Sequence, residues 1–440
     1  GKDGVEYTFE SYLHGANGEA RVTRTSGGTI LSTVYTKDPV PGNHVYLTID
    51  QTLQEATERA LANGMRILIK NREQERAETL GRGETYVSKW EITGGACVVM
   101  DIKQGEPLAI ASWPTYDVSR FLEDYDDLMV AENTPLFNRA LLGAYAPGST
   151  FKPCTAIAAL TTGILNTADK VKCEGVFTRY AADGYAPECW IWSTYKMYHP
   201  EEDVTGAVRD SCNYYFYTIA NDLGVDRLGE YAHNFGLGVK TGIELVETVG
   251  NMANQGNHMD YTGQPWRIGD TLQAGIGQSD SIFSPMQMGV FTSTLARRGL
   301  RYSASILKTV RSYDYGEKLY EREPEILATV ESPDFNWDAV LQGMWEVAND
   351  PSGTAYGTFF DFDWKIAAKT GTAQKGEDIA NDGIFICYGP YADPSVAVAI
   401  IVERGGSGST VAFIAKEIMD VYFNIRSFRN TASETMTLLK

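Results

Sequence analysis

The sequence predicts an α+β sandwich fold, in which an antiparallel sheet assembled from distant parts of the chain is covered by helices. Apolar, strand-like stretches occur at 96–101, 108–113, 364–368, 383–388 and 396–402. Helical patterns lie between them, at 207–220, 227–235, 285–298 and 335–349. Strands at both ends of a long helical region indicate that the first hairpin and the last strands share one sheet, and the helices joined by Gly-rich segments predict an all-helical subdomain.

The flanking segments predict three parts. Residues 1–45 carry short alternating stretches rich in Gly, Thr and charge and are predicted to form a small β-rich N-terminal segment. The main domain is predicted to span 46–430, followed by a tail at 431–440. Asp50 should cap a helix through 53–61 after the strand at 44–49, residues 70–92 are predicted to be an exposed insertion with a helical start, and an apolar pattern at 411–423 predicts a closing helix.

Composition and charge exclude several classes of function. The 440 residues are 43% hydrophobic and 22% charged, as in globular proteins, and the formal net charge is −19. Such an acidic chain is not expected to bind nucleic acid. No run of 18 apolar residues occurs, so no transmembrane helix is predicted. Because the chain begins with Gly, it is expected to be part of a longer protein.

The six cysteines predict neither a redox motif nor a metal site. None of them forms C-x-x-C, and the five histidines are scattered, so no His/Cys cluster has the spacing of zinc ligands. Cys173 and Cys189 flank a polar segment and could form a disulfide in an oxidising compartment.

The candidate nucleophile lies in Pro147–Pro153, with the sequence PGSTFKP. Ser149 follows a chain-breaking Pro-Gly pair, and Lys152 comes three residues later at the start of an apolar helical run. Residues three apart share a helix face, so the hydroxyl and the amine should point into the same space, as a serine nucleophile with an amine base requires. An ordinary helix cap is the alternative. The spacing recurs, without this context, at Ser193–Lys196 and Ser305–Lys308.

Two further motifs could complete such a site. Ser211-Cys-Asn213, in or just before a helical pattern, supplies a second hydroxyl and a side-chain amide. Lys369-Thr-Gly-Thr372 extends a strand, and the missing side chain at Gly371 would let a substrate backbone approach closely. A second copy of K-T-G at Lys240–Gly242 has no strand before it and is predicted to be a structural turn.

The order S-x-x-K, S-x-N, K-T-G resembles that of serine acyl-transfer enzymes that act on D-alanyl-D-alanine peptides and β-lactams. Nearly the whole chain is similar to the class B penicillin-binding proteins, which are monofunctional peptidoglycan D,D-transpeptidases. The similarity includes the segments 1–15, 45–50, 133–139, 274–278, 284–287 and 352–355. It implies the penicillin-binding transpeptidase fold, with residues 1–45 as the remnant of a pedestal or dimerisation-type domain and with the membrane anchor missing.

The resemblance also implies a role for each motif residue. Ser149 would be the nucleophile and Lys152 its base, while Ser211 would relay protons between Lys152 and Lys369. Asn213 would hold the peptide amide. The remaining roles fall on the last motif: Thr370, Gly371 and Thr372 would bind the substrate carboxylate beside Lys369, and the backbone N–H groups of Ser149 and Thr372 would form the oxyanion hole.

The same resemblance implies the partners and the location. The substrates would be peptidoglycan stem peptides, β-lactams would acylate the enzyme, and neither a cofactor nor a metal would be required. A membrane glycan polymerase is an expected partner, and the expected location is the extracytoplasmic face of the bacterial membrane. A D,D-carboxypeptidase, a β-lactamase and a β-lactam sensor domain remain alternatives. The sequence Glu230-Tyr-Ala-His-Asn234 matches the Glu-x-x-x-Asn of class A β-lactamases, but its apolar neighbours favour a plain helix face.

Overall fold

We describe the fold from a computed structural model, which describes residues 1–86, 91–376 and 378–436. The strands, in chain order, are β1 Glu19–Arg24, β2 Ile30–Lys37, β3 His44–Leu47, β4 Gly95–Asp101, β5 Glu106–Trp113, β6 Val171–Lys172, β7 Glu201–Glu202, β8 Leu300–Tyr302, β9 Leu307–Arg311, β10 Lys318–Glu321, β11 Ile326–Thr329, β12 Ala367–Ala373, β13 Asp382–Gly389 and β14 Val396–Val402.

The helices, in chain order, are α1 Gly4–Thr8, α2 Glu10–Leu13, α3 Gln51–Gly81, α4 Phe121–Val130, α5 Arg139–Leu142, α6 Lys152–Thr161, α7 Trp190–Tyr195, α8 Val204–Arg209, α9 Asn213–Leu223, α10 Val225–Asn234, α11 Gln255–Thr262, α12 Ile268–Ala274, α13 Pro285–Ala296, α14 Asp334–Asn349, α15 Tyr356–Phe359 and α16 Gly408–Met436.

The central sheet joins the two ends of the main domain, as the sequence predicted. Its strand order is β12-β13-β14-β4-β5, and every neighbouring pair is antiparallel. Val398 of β14 pairs with Val99 of β4, although almost 300 residues separate them. Every residue of β13 and β14 is buried, because helices cover both faces, and this explains why these strands are apolar without alternation.

Two helical layers enclose this sheet. On one face, α3 and α16 pack against each other and over the apolar side chains of one buried cluster. On the other face, α13 lies across β4 and β14 and connects the sheet to the predicted helical subdomain, which contains α6, α9, α10 and α14. Trp337 and Phe235, both fully buried, meet edge to face in that subdomain.

The start of the N-terminal segment is anchored on this core, because Phe9 is buried in the same cluster. The hairpin β1–β2 exposes every residue, and two short helices, α1 and α2, precede it. None of the helices in the described residues combines the length and apolar composition that a membrane span needs.

Three predicted boundaries differ from the structure. The expected helix at 207–220 is two helices, α8 and α9, because Ser211 adopts a left-handed backbone conformation with φ of 56° between them. The expected strand at 364–368 begins later, so that β12 contains the Lys369–Thr372 motif itself. The closing helix runs to Met436, through the first part of the predicted tail 431–440, of which 437–440 lie outside the described residues.

Candidate active site

The Ser149 turn is a 3-10 turn, Gly148–Phe151, that leads directly into α6. Pro153 lies in the first turn of this helix, where a missing N–H leaves no bond unmade. The backbone N–H of Gly148 donates to Gly277 O at 2.8 Å. A Cβ on Gly148 would lie 2.5 Å from Thr372 O, so a glycine is needed for the turn to pack against β12. Ser149 itself remains half-buried at the surface of the site.

Lys152 and Lys369 converge on Ser211. The fully buried Lys152 amine donates to Ser211 Oγ at 3.1 Å, to Ser211 O at 2.7 Å and to Asn213 Oδ1 at 2.6 Å. The Lys369 amine donates to the same Oγ at 2.9 Å and to Thr370 O at 3.2 Å. The hydroxyl of Ser211 therefore lies between two amines, in the place that a proton relay between them requires.

Both amines are shifted toward their neutral form. Burial lowers the pKa of Lys152 to about 8, against a smaller opposing effect of nearby acidic groups. Burial, and next the neighbouring Lys152 amine, lowers the pKa of Lys369 well below its usual value. The site therefore contains an amine that can accept a proton near neutral pH, which is what general base catalysis needs.

The Ser211 turn is held by bonds on both sides. Before it, Arg209 forms a bidentate ion pair with Asp210, with N–O distances of 2.6 and 3.0 Å. After it, Cys212 caps α9, since its Sγ accepts from Tyr215 N at 3.5 Å. The left-handed conformation of Ser211 costs on the order of 1–2 kcal/mol, which its bonds to the two lysines offset.

Strand β12 forms the opposite wall of the site. Thr370 Oγ1 lies 2.7 Å from Thr354 Oγ1, and Thr372 O accepts from Gln278 Nε2 at 3.0 Å. A Cβ on Gly371 would lie 2.8 Å from Pro147 O. In this structure Gly371 therefore admits the Ser149 turn, whereas the sequence interpretation reserved this space for a substrate backbone. The sequence assigned no role to Thr354 or Gln278, although both lie in segments that carried the family resemblance.

The second K-T-G copy is a structural turn, as predicted. Thr241 N and Oγ1 both donate to the Glu247 carboxylate, at 3.0 and 2.8 Å, and the Lys240 amine donates to Glu247 O at 2.6 Å. The hydrogen-bond donors of this copy are thus occupied by Glu247 of the same loop.

A second cluster lies directly behind the Ser211 turn. Cys173, Cys189, His199 and Cys212 each offer one ligand atom, and these atoms all lie within 4.8 Å of one another. All four residues are buried. The sequence predicted no metal site because no His/Cys cluster has the spacing of zinc ligands, but the fold brings these four residues together from positions spread over 173–212.

The possible disulfide between Cys173 and Cys189 is not present in the structure, in which all six cysteines are free thiols. The Sγ atom of Cys189 lies 4.0 Å from that of Cys212 and 3.4 Å from His199 Nδ1. Both thiols and the imidazole surround one point, an arrangement that favours a shared ligand over a single pair.

The donor set of this cluster fits Zn²⁺. Three thiolates and one imidazole are a common set for a closed, tetrahedral structural zinc site. The second ring nitrogen of His199, Nε2, is buried without a hydrogen-bond partner, and so are both carboxylate oxygens of the neighbouring Glu202. Such polar groups around the ligands commonly form the outer shell of a metal site.

Comparisons with known proteins agree on one family. Residues 95–420 match the family model of the penicillin-binding protein transpeptidase domain, and residues 1–47 match that of the penicillin-binding protein dimerisation domain. The chain is 31% identical to the peptidoglycan D,D-transpeptidase MrdA of Escherichia coli, over 96% of this chain and 64% of that protein. It is 30% identical to the Haemophilus influenzae MrdA, over 97% of this chain and 63% of that protein. The chain thus spans less than two thirds of the length of these relatives.

Solved structures give the same result. PBP2 of Pseudomonas aeruginosa, in complex with WCK 5153, is 30% identical with a TM-score of 0.76, covering 96% of this chain and 83% of its own. A chain of a peptidoglycan synthase complex that coordinates polymerization and crosslinking is 28% identical, with a TM-score of 0.82. The match covers 97% of this chain and 70% of that chain. With its three motifs gathered in one site and a family model matched over most of its length, the chain belongs to the penicillin-binding protein transpeptidase family.

Proposed function

We propose that this protein is a peptidoglycan D,D-transpeptidase that cross-links stem peptides through an acyl-enzyme on Ser149. The observation that carries the proposal is the position of Ser211 Oγ between the amines of Lys152 and Lys369, beside the Ser149 turn. The similarity to the transpeptidase MrdA supports the same activity.

In the first half-reaction, Ser149 Oγ attacks the carbonyl carbon between the two terminal D-alanines. Neutral Lys152 accepts the hydroxyl proton, and Ser211 passes a proton to the departing D-alanine amine while the peptide bond breaks and the ester forms. The backbone N–H groups of Ser149 and Thr372 stabilise the oxyanion. One such donor contributes roughly 3–4 kcal/mol to transition-state stabilisation.

The rest of the site orients the substrate. Lys369, Thr370 and Thr372 bind the terminal carboxylate, with Gly371 keeping β12 close to the nucleophile. Asn213 offers its Nδ2 group to the peptide amide, since its Oδ1 already accepts from Lys152. In the second half-reaction, an amine of a neighbouring stem peptide attacks the ester, so no cofactor takes part in the chemistry.

Fluorescent penicillin provides the direct test. We expect one stable adduct per chain on Ser149, with a lifetime of hours, because a transpeptidase holds no water ready for deacylation. Ser149→Ala should abolish labelling, because it removes the proposed nucleophile. Peptide mapping and gel fluorescence measure both results.

Ser193→Ala is the matched control, because Ser193 and Lys196 have the same spacing on the exposed helix α7, and it should label like the parent. An adduct that turns over within seconds would instead favour the β-lactamase alternative. Release of D-alanine without formation of a cross-link would favour the carboxypeptidase alternative.

We further propose a membrane setting for this activity. Residues 1–45 belong to a dimerisation-type domain, in keeping with the family model that matches 1–47. The proposed location is the extracytoplasmic face of the bacterial membrane, and the proposed partner is a membrane glycan polymerase. The similarity to a chain of a peptidoglycan synthase complex supports this partner.

A second proposal concerns the cluster behind the Ser211 turn: Cys173, Cys189, His199 and Cys212 hold one structural Zn²⁺. The convergence of four soft donor atoms within 4.8 Å supports it. The metal would fix the loop 173–200 against the start of α9, so its chemistry is structural, and no step of the acyl transfer runs through it.

We expect about one zinc per chain by elemental analysis, and a melting temperature that falls on chelation because the binding free energy contributes to folding. Cys173→Ser should lower the zinc content and the melting temperature. Cys97→Ala, which changes a buried thiol of β4 outside the cluster, should keep the full zinc content. Zinc content below a tenth of stoichiometric in the parent, after refolding with excess zinc, would contradict this proposal.

A further inference from the structure

We propose that Cys212 is an oxidation site that can switch off the enzyme: in the metal-free cluster, Cys189 and Cys212 form a disulfide that displaces the Ser211 turn and stops acylation. The inference rests on the proposed transpeptidase activity and the proposed metal site. It concerns a covalent modification that neither of them requires.

The two sulfur atoms are already neighbours. Cys189 Sγ and Cys212 Sγ lie 4.0 Å apart, and no side chain stands between them. A disulfide bond is about 2.05 Å long, so closure requires the two atoms to approach by about 2 Å in total. A metal ion bound to both thiolates would prevent this bond, because it occupies the sulfur lone pairs that would otherwise attack the oxidant.

Formation of this disulfide should move Cys212, which adjoins the catalytic residues, more than Cys189. Cys189 is fixed by backbone bonds, since its N–H donates to Gly175 O at 2.7 Å and its carbonyl accepts from Trp192 and Ser193 at 3.0 Å each. Cys212 is held by longer bonds, since its N–H donates to Ala207 O at 3.1 Å and its carbonyl accepts from Phe216 N at 3.3 Å. It also follows Ser211, whose left-handed backbone conformation is unfavourable. The Ser211 turn should therefore move before Cys189 does.

Such a displacement reaches the catalytic groups at once. Cys212 lies between Ser211 and Asn213, and both of these neighbours bind the Lys152 amine. A shift of its sulfur also breaks the cap on Tyr215 N. A misplacement of about 1 Å in catalytic groups can reduce a rate about 100-fold, so a movement of this size should stop acylation.

A cavity borders the cluster. A cavity of about 620 Å³ is lined by Cys173 and His199, among other residues of the loop. His199 Nδ1 lies 3.4 Å from the Sγ of Cys189, which is fully buried. Hydrogen peroxide is little larger than water, so movement of the His199 side chain would admit it to this thiol.

The reaction with a peroxide balances in two steps. The Cys189 thiolate attacks one peroxide oxygen, the O–O bond breaks, and the products are a sulfenic acid and hydroxide, which takes up a proton. The Cys212 thiol then attacks the sulfenic sulfur, the S–S bond forms and water leaves. Two thiols are oxidised to one disulfide, and one peroxide is reduced to two waters.

The test compares three preparations of the whole chain: reduced and zinc-loaded, zinc-stripped by a chelator, and zinc-stripped then treated with hydrogen peroxide. Non-reducing peptide mapping by mass spectrometry identifies the bond, and fluorescent penicillin measures the acylation rate. We expect a Cys189–Cys212 cross-link only in the third preparation. We expect its acylation rate to fall at least tenfold below that of the stripped protein, with recovery after a thiol reductant and zinc.

Two variants make the result specific. Cys189→Ser removes the partner thiol, so peroxide should leave the acylation rate of its stripped form unchanged. Cys173→Ser retains the reacting pair and should lose activity with peroxide as the parent does. An effect of peroxide on Cys189→Ser equal to that on the parent, a bond confined to Cys173 and Cys189, or a Cys189–Cys212 bond with normal acylation would each overturn the proposal. Failure of the reduced, zinc-loaded chain to bind penicillin would instead contradict the proposed transpeptidase activity. Peptide mapping would still show whether Cys189 and Cys212 form a disulfide.

Discussion

Replacing Lys152 with methionine should lower the rate of acylation by penicillin by about 10²–10⁴-fold, the range that a general base contributes. The fully buried Lys152 amine bonds Ser211 Oγ, Ser211 O and Asn213 Oδ1, and Lys152 is the first residue of the buried helix α6. Methionine has a similar volume and no proton to accept, so the fold should persist while the chemistry fails. Stopped-flow fluorescence with a labelled penicillin measures this rate.

The acylation rate of the parent protein should depend on pH as the ionisation of Lys152 does. With the pKa of Lys152 at about 8, roughly one amine in ten is neutral at about pH 7, whereas an ordinary lysine would be neutral in less than one in a thousand. Because the neutral amine is the base, the acylation rate should rise about tenfold per pH unit below about 8 and level off above it. A rate that does not change between about pH 6 and 9 would contradict the assignment of Lys152 as the base.

Lys196→Met is the matched control for this substitution. Lys196 stands three residues after Ser193, in the same spacing as Lys152 after Ser149, but it follows α7 at the protein surface. Its substitution should leave both the acylation rate and the pH profile unchanged. Loss of acylation in both variants, with circular dichroism unchanged, would show that a general loss of positive charge and not the base is responsible.

The sequence was sufficient to predict the central sheet. Apolar strands at both ends of the main domain predicted the joined sheet, and local context favoured Ser149 over the two other Ser-x-x-Lys matches as the proposed nucleophile. The sequence did not predict the burial of the two lysines or the left-handed turn at Ser211. The break at Ser211 has no glycine or proline to mark it, because the turn is stabilised by Lys152 and Lys369, which are remote in the chain.

The same reason explains the missed cluster. A zinc site can be predicted from sequence when short, regular spacings place the ligands together. Here the loop 173–200 must fold back onto the start of α9 before Cys173 and Cys212 come close. Thr354 and Gln278 were missed as site residues because each acts through one bond to β12 that only the fold creates. Long-range packing, and not local pattern, determines these parts of the site.

Breaking the buried ion pair between Arg139 and Glu403 should have the largest effect on stability, about 3–5 kcal/mol for Arg139→Met. Arg139 Nε donates to Glu403 Oε1 at 2.9 Å, and its Nη2 donates to Asn133 O at 2.7 Å. The carboxylate also accepts from Tyr145, two residues before the Pro147 turn, at 2.8 Å. The pair therefore connects the end of β14 to the segment that carries the proposed nucleophile, Ser149.

Urea unfolding at about pH 7 measures this loss, and Arg120→Met is the control. Arg120, just before α4, pairs at 2.8 Å with Asp124 on that helix at the protein surface, where an ion pair contributes at most about 1 kcal/mol. Equal losses in the two variants would contradict the special role of the buried pair.

The dependence of this loss on pH separates charge from packing. Burial alone would raise the pKa of Glu403, but hydrogen bonds from Thr93 and the charge of Arg139 hold it below its usual value. The stabilisation by ionised Glu403 is therefore present above the unfolded pKa and is lost only as the pH falls through the lower folded pKa. In Arg139→Met the buried carboxyl loses its counter-charge and its pKa rises, so mild acid should protonate it and relieve the unpaired charge. The stability difference between parent and variant should thus shrink from about pH 7 to about pH 5, whereas a constant difference would assign the loss to the bonds of Arg139 with 133–134.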